Sequence, residues 1–240
     1  IDIKKAKGKL KILFDLTDGG KSFNGTCGIG HTRWATHGEP SQNNAHPHCN
    51  DEHTIVAVHN GIIENYSQLK DKLTRRGYTF YSDTDTEVAT KLVDYYYKKH
   101  GEPLKAISEF ALHARGSYAL AVLFKDFPGE IFAIRKDSPM VIGVTDGGAL
   151  LASDVPAILK YTRNVYYTYN HEIVLLSKDG VAFYNLDREE ISKTPTLISW
   201  DAEAAEKGGW EHFMLKEIHE QPEVVRNTVN YFLHDGKLDL

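Results

Sequence analysis

Arg33 stands in the run His31-Thr32-Arg33-Trp34-Ala35-Thr36-His37-Gly38-Glu39-Pro40, with Asn44-Ala45-His46-Pro47-His48 close behind. The run gathers a guanidinium, hydroxyls and imidazoles around two turn residues, Gly38 and Pro40, which suits a loop that holds a small polar anion. The planar fork of Arg33 matches a carboxylate with two hydrogen bonds; Thr36 and His37 would add bonds to the same group, and His37-Gly38 supplies the flexibility to close over it. Taken alone, Arg33 serves equally well as a structural ion pair at a strand end. A second element is the apolar run Ile55-Val56-Ala57-Val58, which ends in His59-Asn60-Gly61. The Asn60 side-chain amide and the Gly61 backbone N–H could both point at an oxygen that becomes negative during reaction, although an Asn-Gly turn that simply closes a strand reads the same. The third element, Ser82-Asp83-Thr84-Asp85-Thr86-Glu87, offers Asp85 to an ammonium group. Thr84 and Glu87 also have capping-box spacing, so the segment starts a helix, and the cap would fix the loop that presents Asp85. Asp83 reads as a solvated charge. A cation for a carboxylate, an anion for an amine and amide donors for a reacting carbonyl are the needs of a free amino acid with a side-chain amide.

The elements that position these groups follow from hydrophobic period. Strands are predicted at Cys27 to Thr32, Thr54 to His59, Tyr118 to Phe124, Glu130 to Arg135, near Leu150, and at Val165 to Thr168, Glu172 to Leu176 and Val181 to Tyr184. Helices are predicted from Tyr66 to Arg76, Thr86 to Lys99, Leu104 to His113, Val155 to Tyr161, and about Glu211 to Phe232 with an interruption at Pro222. Strands cluster and helices cluster without the alternation of a parallel doubly wound sheet, so the class is α+β. Several strands are apolar on both faces and must be covered on both sides. Asp18-Gly19-Gly20, Asp146-Gly147-Gly148 and Lys178-Asp179-Gly180 read as hairpin or loop tips, and Asp201 to Gly209 as a mobile surface segment.

With 240 residues, 41% hydrophobic and 25% charged, the chain is of the globular class and long enough for one large domain with a real core. No apolar run approaches a bilayer span, so no membrane helix is predicted. A net charge of −5 argues against a nucleic-acid surface, and Lys4-Lys5-Ala6-Lys7 reads as a solvated edge. Two cysteines, Cys27 and Cys49, make no disulfide framework, which points to a reducing cytoplasm. His31, His37, His46, His48 and His53 crowd one segment beside Cys49, and His46-Pro47-His48 has a spacing used by some metallohydrolases. No matching downstream constellation and no Cys-x-x-Cys partner accompany them, so the expectation is no metal and no cofactor.

In this order, HTRWATHGEP, HNGIIENY, SDTDTE and the closing Phe213-Met214-Leu215-Lys216-Glu217-Ile218-His219-Glu220-Gln221-Pro222 resemble the glutaminase domain of the glutamine:fructose-6-phosphate amidotransferase family, within the class II glutamine amidotransferases. The resemblance runs over nearly the whole chain. It implies the four-layer αββα sandwich of N-terminal-nucleophile hydrolases, across residues 1–240 as a single glutaminase domain. It also implies glutamine or glutamate as ligand, with Arg33, Thr36 and His37 on the α-carboxylate, Asp85 on the α-ammonium, and Asn60 and Gly61 as the oxyanion hole. Trp34 would lie on the closing loop and gate the ammonia path, the alternative being a core anchor, and His46 matches a position near the pocket. In the family the thiol of an N-terminal cysteine attacks the amide while its own α-amine handles the proton. Ammonia then passes to a C-terminal sugar-phosphate isomerase domain of an enzyme expected to be a homodimer. The family's opening Cys-Gly-Ile and a later Tyr-Arg-Gly-Tyr-Asp-Ser segment are not among these residues, so the expectation is a domain incomplete at its start and catalytically silent alone. Cys27-Gly28-Ile29-Gly30 copies the opening motif superficially; a buried core thiol is expected for Cys27 and a loop thiol for Cys49. Two rivals stand beside this reading: the glutaminase half of a phosphoribosyl amidotransferase, and a non-catalytic glutamine-binding module. An upstream Cys-Gly-Ile would discriminate the module from either enzyme.

Overall fold

Ile55, Val56, Ala57 and Val58 are buried in succession, so the strand that carries them needs cover on both faces. The computed structural model supplies it, describing residues 1–34, 38–199, 208–234 and 237–238. In chain order the first half gives α1 (Leu10–Leu16), β1 (His48–Cys49), β2 (Ile55–Ile63), α2 (Tyr66–Thr74), α3 (Asp85–His100), α4 (Pro103–His113), β3 (Gly116–Phe124) and β4 (Ile131–Lys136). There follow β5 (Val141–Thr145), β6 (Gly148–Ala152), α5 (Pro156–Leu159), β7 (Asn164–Tyr167), β8 (Ile173–Ser177), β9 (Gly180–Tyr184), β10 (Glu190–Ile191) and β11 (Thr196–Leu197). These belong to one compact unit, Ile1–Leu197. A second unit, Ile198–Leu240, contains α6 (Phe213–Phe232) and the short pair β12 (Leu233–His234) and β13 (Lys237–Leu238).

In the first unit a 7-stranded sheet, β1-β2-β3-β4-β8-β9-β10, lies over a 4-stranded sheet, β11-β7-β5-β6, and the strand pairs of both are antiparallel. Period-2 alternation decides which side chain goes where. Ile55, Ala57, Leu120 and Ile134 face α2, α3 and α4 and pack with Leu73, Val93 and Phe110. Val58, Ala121, Ala133 and Val174 face the other way and meet Met140 and Ile142 of the second sheet's side. On the far side of that sheet, a Cβ at Gly143 would strike Ile158 of α5, so only glycine lets this short helix lie against the strand. The layers are therefore α, β, β and α, the αββα sandwich. Each buried Leu, Ile or Phe in these two clusters contributes about 1.5–3 kcal/mol relative to exposure.

The end of β2 departs from the expected strand tip. Its ladder with β3 continues past His59 through Asn60↔Ala119 and Gly61↔Tyr118 to Ile63↔Gly116. Asn60 and Gly61 are thus strand residues rather than a turn. Gly61 has φ +112° and Gly116 φ +109°, and a Cβ at either would run into the opposing carbonyl, of Ser117 and Ile62 respectively. Two glycines let the ladder continue where any side chain would break it.

Cys27 to Thr32 forms no strand, because no neighbouring strand pairs with it. Helix α1 was not foreseen, since Leu10, Ile12, Phe14 and Leu16 are more than half exposed or close to it and bury no face within the described residues. The helix expected over Val155 to Tyr161 shrinks to α5. Helix α6 runs through Pro222 without a break in its assignment; proline removes one hydrogen bond, which a 20-residue helix tolerates. Of the segment Asp201 to Gly209, only Gly208 and Gly209 are described. Among the described residues no helix is long and apolar enough to cross a membrane.

Candidate active site

A cavity of about 990 Å³ opens beside the end of β2 and is bordered by Arg33, Trp34, His46, Asn60, Gly61 and Asp85. Arg33 and Asp85, just over 50 positions apart in sequence, thus meet in one place. Thr36 and His37 lie outside the described residues.

The Asp85 wall is built from the start of α3. Thr84 is its N-cap, with Oγ1 accepting the Glu87 N–H at 3.3 Å. The capping box is only half made: the Glu87 carboxylate reaches back instead to the N–H groups of Tyr81 (3.0 Å) and Ser82 (2.7 Å), and accepts the Ser82 hydroxyl at 2.7 Å. Lys91, one turn on, pairs with Glu87 at 2.9 Å and with Asp51 at 2.8 Å, and also donates to the Thr79 carbonyl. Glu87 and Lys91 are both fully buried, which is tolerable only because each charge is paired and hydrogen-bonded. Their work is to hold residues 79–82 onto the helix start, and through them Asp85, which is buried and accepts the Ile63 N–H at 2.8 Å. The positive end of α3 favours a carboxylate there.

Asn60 is exposed to the cavity, and its Oδ1 lies 2.7 Å from Nε2 of His31. His31 Nδ1 in turn accepts the backbone N–H of Arg33 at 2.8 Å. Arg33 has φ +38°, an uncommon conformation for a side chain of that size. Its guanidinium donates to the carbonyls of Gly38 (2.9 Å) and Glu39 (3.3 Å), which closes the loop on itself. Asn44 pins that loop to the Asp83 turn. Its Nδ2 donates to Glu39 O at 3.1 Å and to Asp83 Oδ2 at 3.2 Å, and its Oδ1 accepts the Asp83 N–H at 3.0 Å. A Cβ at Gly38, φ +73°, would lie within 2.6 Å of Asn44 Nδ2, so glycine is required there too. Asp83 is therefore exposed but tied, not merely solvated. Trp34 is 90% exposed, which removes the core-anchor alternative.

The histidines spend their ring nitrogens on this scaffold. His46 Nδ1 accepts the His59 N–H (3.3 Å) and its Nε2 lies 3.3 Å from Thr86 Oγ1, which is 3.0 Å from His59 Nδ1. His48 bridges Tyr81 OH and Thr84 Oγ1, each at 3.0 Å. Burial keeps these rings neutral: it drives His46 far below the usual imidazole range and His48 down to about 3, the latter helped by the charge of Lys5. Lys5 is itself half-buried, donating to Asn43 O at 3.1 Å and lying over the Tyr81 ring, so it is not the solvated edge expected. Among the described residues no group of His, Cys, Asp and Glu has a metal-holding arrangement. Cys27 is half-buried rather than a core thiol, and burial raises its pKa. Cys49 is buried in β1 with Sγ 3.4 Å from His53 Nδ1, not in a loop. Neither thiol borders the cavity.

Sequence reasoning missed Asn44, Glu87, Lys91 and the role of His31. Of these only Glu87 had a signal, its capping-box spacing, and that signal named the wrong partner.

Residues 31–160, more than half of the chain and all of the cavity's principal residues, match the glutamine amidotransferase domain. The chain belongs to that family. Its curated relatives include the glutamine–fructose-6-phosphate aminotransferases (isomerizing) of Caldanaerobacter subterraneus subsp. tengcongensis, 52% identical over 95% of this chain, and of Clostridium acetobutylicum, 51% identical over 95%. That of Aquifex aeolicus is 42% identical over 96%. The chain spans about 37% of the length of the first two of these relatives. Among solved structures, the glutamine phosphoribosylpyrophosphate amidotransferase of B. subtilis superposes with a TM-score of 0.54 at 22% identity, over 67% of this chain and 35% of that one. A second, the allosteric regulatory enzyme of purine biosynthesis, gives 0.53 at 20%, over 61% and 32%. These likenesses establish the amidotransferase αββα fold.

Proposed function

We propose that the cavity binds glutamine and that residues 1–240 are the glutaminase domain of an enzyme that passes the released ammonia to fructose-6-phosphate, forming glucosamine-6-phosphate. The observation that carries this reading is the meeting, in one cavity, of the Asn60 amide and Gly61 with the buried carboxylate of Asp85 and the cation of Arg33. Asp85 takes the α-ammonium of the substrate. Arg33 exchanges its bonds to Gly38 O and Glu39 O for the α-carboxylate, to which Thr36 and His37 would add hydrogen bonds, and Trp34 covers the site.

The reaction balances as acyl transfer. A thiolate attacks the side-chain carbonyl carbon, and the oxygen takes up the negative charge between Asn60 Nδ2 and Gly61 N–H. The C–N bond breaks as the nitrogen is protonated and leaves as ammonia, and water then cleaves the thioester to glutamate. Cys27 and Cys49 stand away from the cavity, so the nucleophile belongs to the N-terminal cysteine that the family resemblance implies, whose α-amine, with a pKa of about 8, serves as base. The ammonia acceptor would be the sugar-phosphate isomerase domain of the full-length, homodimeric enzyme. Identity of 52% to a fructose-6-phosphate aminotransferase favours this acceptor over the phosphoribosyl one, where the likeness is at 22%.

Titration of glutamate into the full-length protein, beside an assay of glutamate release from glutamine, tests the reading. Asp85→Asn keeps an acceptor for Ile63 but removes the charge, and is expected to weaken glutamate by about 10- to 150-fold, the equivalent of roughly 1.5–3 kcal/mol; Cys27→Ala should leave turnover unchanged. Binding without hydrolysis would identify a non-catalytic module. Absence of binding, or turnover abolished by Cys27→Ala, would refute the assignment.

A further inference from the structure

We propose that His31 is a positioning residue for the oxyanion hole, an inference that rests on the glutaminase reading above: its ring, held as the Nε2–H tautomer by the backbone N–H of Arg33, turns the Asn60 carboxamide so that Nδ2 faces the cavity. A carboxamide can be flipped with little change of shape, but the two orientations are opposite in chemistry, one presenting a donor and the other an acceptor. An oxygen acquiring negative charge is stabilised only by the donor face. Something on the opposite side of Asn60 must therefore choose.

The choice follows from hydrogen bonds that have only one sense. The Arg33 N–H, 2.8 Å from His31 Nδ1, can only donate, so Nδ1 holds a lone pair. A neutral imidazole then carries its proton on Nε2, and Nε2 is 2.7 Å from Asn60. Only the carbonyl oxygen of the amide can accept that proton, which leaves Nδ2 to the cavity. Protonation of Nδ1 would set two N–H groups against each other. Burial opposes it by lowering the His31 pKa and outweighs the hydrogen bond to Asn60, which raises it; the nearby Arg33 charge lowers it further, against a smaller contribution from the His59 backbone. The ring plane is held by His46, stacked at 4.1 Å and 18°, which is itself bonded to His59 N–H and faces Thr86.

One residue of the carboxylate-binding loop thereby does two jobs. The Arg33 side chain is offered to the substrate, while its backbone N–H sets the tautomer that orients the oxyanion donor. The oxyanion hole is complete only when the loop backbone stands where it can make that bond.

Steady-state glutaminase kinetics on the full-length protein decide the matter. Asn60→Ala should lower kcat by about 100- to 1,000-fold. His31→Ala should lose much of the same factor, about 10- to 100-fold in kcat, with KM for glutamine within about threefold. Because His31 acts through Asn60, the double variant should be no slower than Asn60→Ala alone, whereas a merely structural His31 would give losses that multiply. His31→Gln places an amide nitrogen where Nε2 stands and should recover at least about tenfold over His31→Ala; His31→Asn, which reaches only the Nδ1 position, should not. Multiplying losses, a raised KM at unchanged kcat, or Asn matching Gln would each overturn the proposal, and the Gln/Asn pair decides it alone if the alanine variant fails to fold. Unchanged turnover in Asn60→Ala would instead bring down the glutaminase site itself.

Discussion

The two walls of the cavity are built on opposite principles. On the Asp85 side, Ser82, Thr84, Asp85, Thr86, Glu87 and Lys91 are all buried, and the charges are satisfied by partners fixed to a helix start. On the Arg33 side the loop is largely exposed, Trp34 stands 90% in solvent, and the guanidinium is parked on the loop's own carbonyls. The proposed glutamine site would use both. A rigid wall with a preorganised carboxylate fixes one end of the ligand at little entropic cost, while a loop that can exchange internal bonds for ligand bonds admits it and closes. On the proposed function, stability would be concentrated in one wall and ligand response in the other.

The sharpest way to break this contrast is Glu87→Ala. It strips Lys91 of its buried partner and leaves the N–H groups of Tyr81 and Ser82 without their acceptor. Removing one member of a buried pair costs about 3–5 kcal/mol, and that loss is expected in chemical denaturation of the protein. A loss below about 1 kcal/mol would mean that the wall is not held by its buried charges.

Much of the site was legible because residue type and spacing determine chemistry locally. Arg33, Asn60, Gly61, Asp85 and His46 do border one cavity, and most of the predicted strands fall within a residue or two of their hydrophobic periods, as β4 and β9 do, although β5 at Val141–Thr145 was missed. What stayed hidden was pairing. Asn60-Gly61 looks like a turn until Gly116, more than fifty residues later, is seen to allow the ladder to continue beside it. Cys27 to Thr32 has a strand's alternation but no neighbour to bond with, and a strand is not a property of one segment. Glu87 was assigned to Thr84 by local spacing, yet a buried Lys91 and two backbone N–H groups offered it more. The histidines crowd one segment of the sequence, but what His46 and His48 face, hydroxyls and a backbone amide from other parts of the chain, is not legible there.

Arg33→Ala probes the other wall. It should weaken glutamate by about 1.5–3 kcal/mol through loss of a charge-assisted bidentate contact, while unfolding free energy shifts by about 1 kcal/mol or less, because the half-buried side chain bonds carbonyls of its own loop. Calorimetry and denaturation on the same variant read both numbers. A fall in stability matching that in affinity would show that the two walls are not separable.

The smallest effect expected is a pH dependence that belongs to the rigid wall alone. His48 is buried between Tyr81 and Thr84, with its folded pKa at about 3 from burial first and Lys5 second. Its unfolded value is near 6.5. A depressed pKa means that the unfolded chain binds the proton first, so this stability is fully present above about pH 6.5 and is lost as pH falls toward 3. Between pH 7 and pH 5.5 the loss from this one ring amounts to about 1 kcal/mol. His31 and His46, also lowered by burial, add to the acid sensitivity of the whole protein, so the measurement is a difference: denaturation at the two pH values for the parent and for His48→Gln, which cannot titrate. The variant's pH-dependent loss should be smaller by about 1 kcal/mol. An identical loss in both would place the proton elsewhere and remove His48 from the account of why this wall holds.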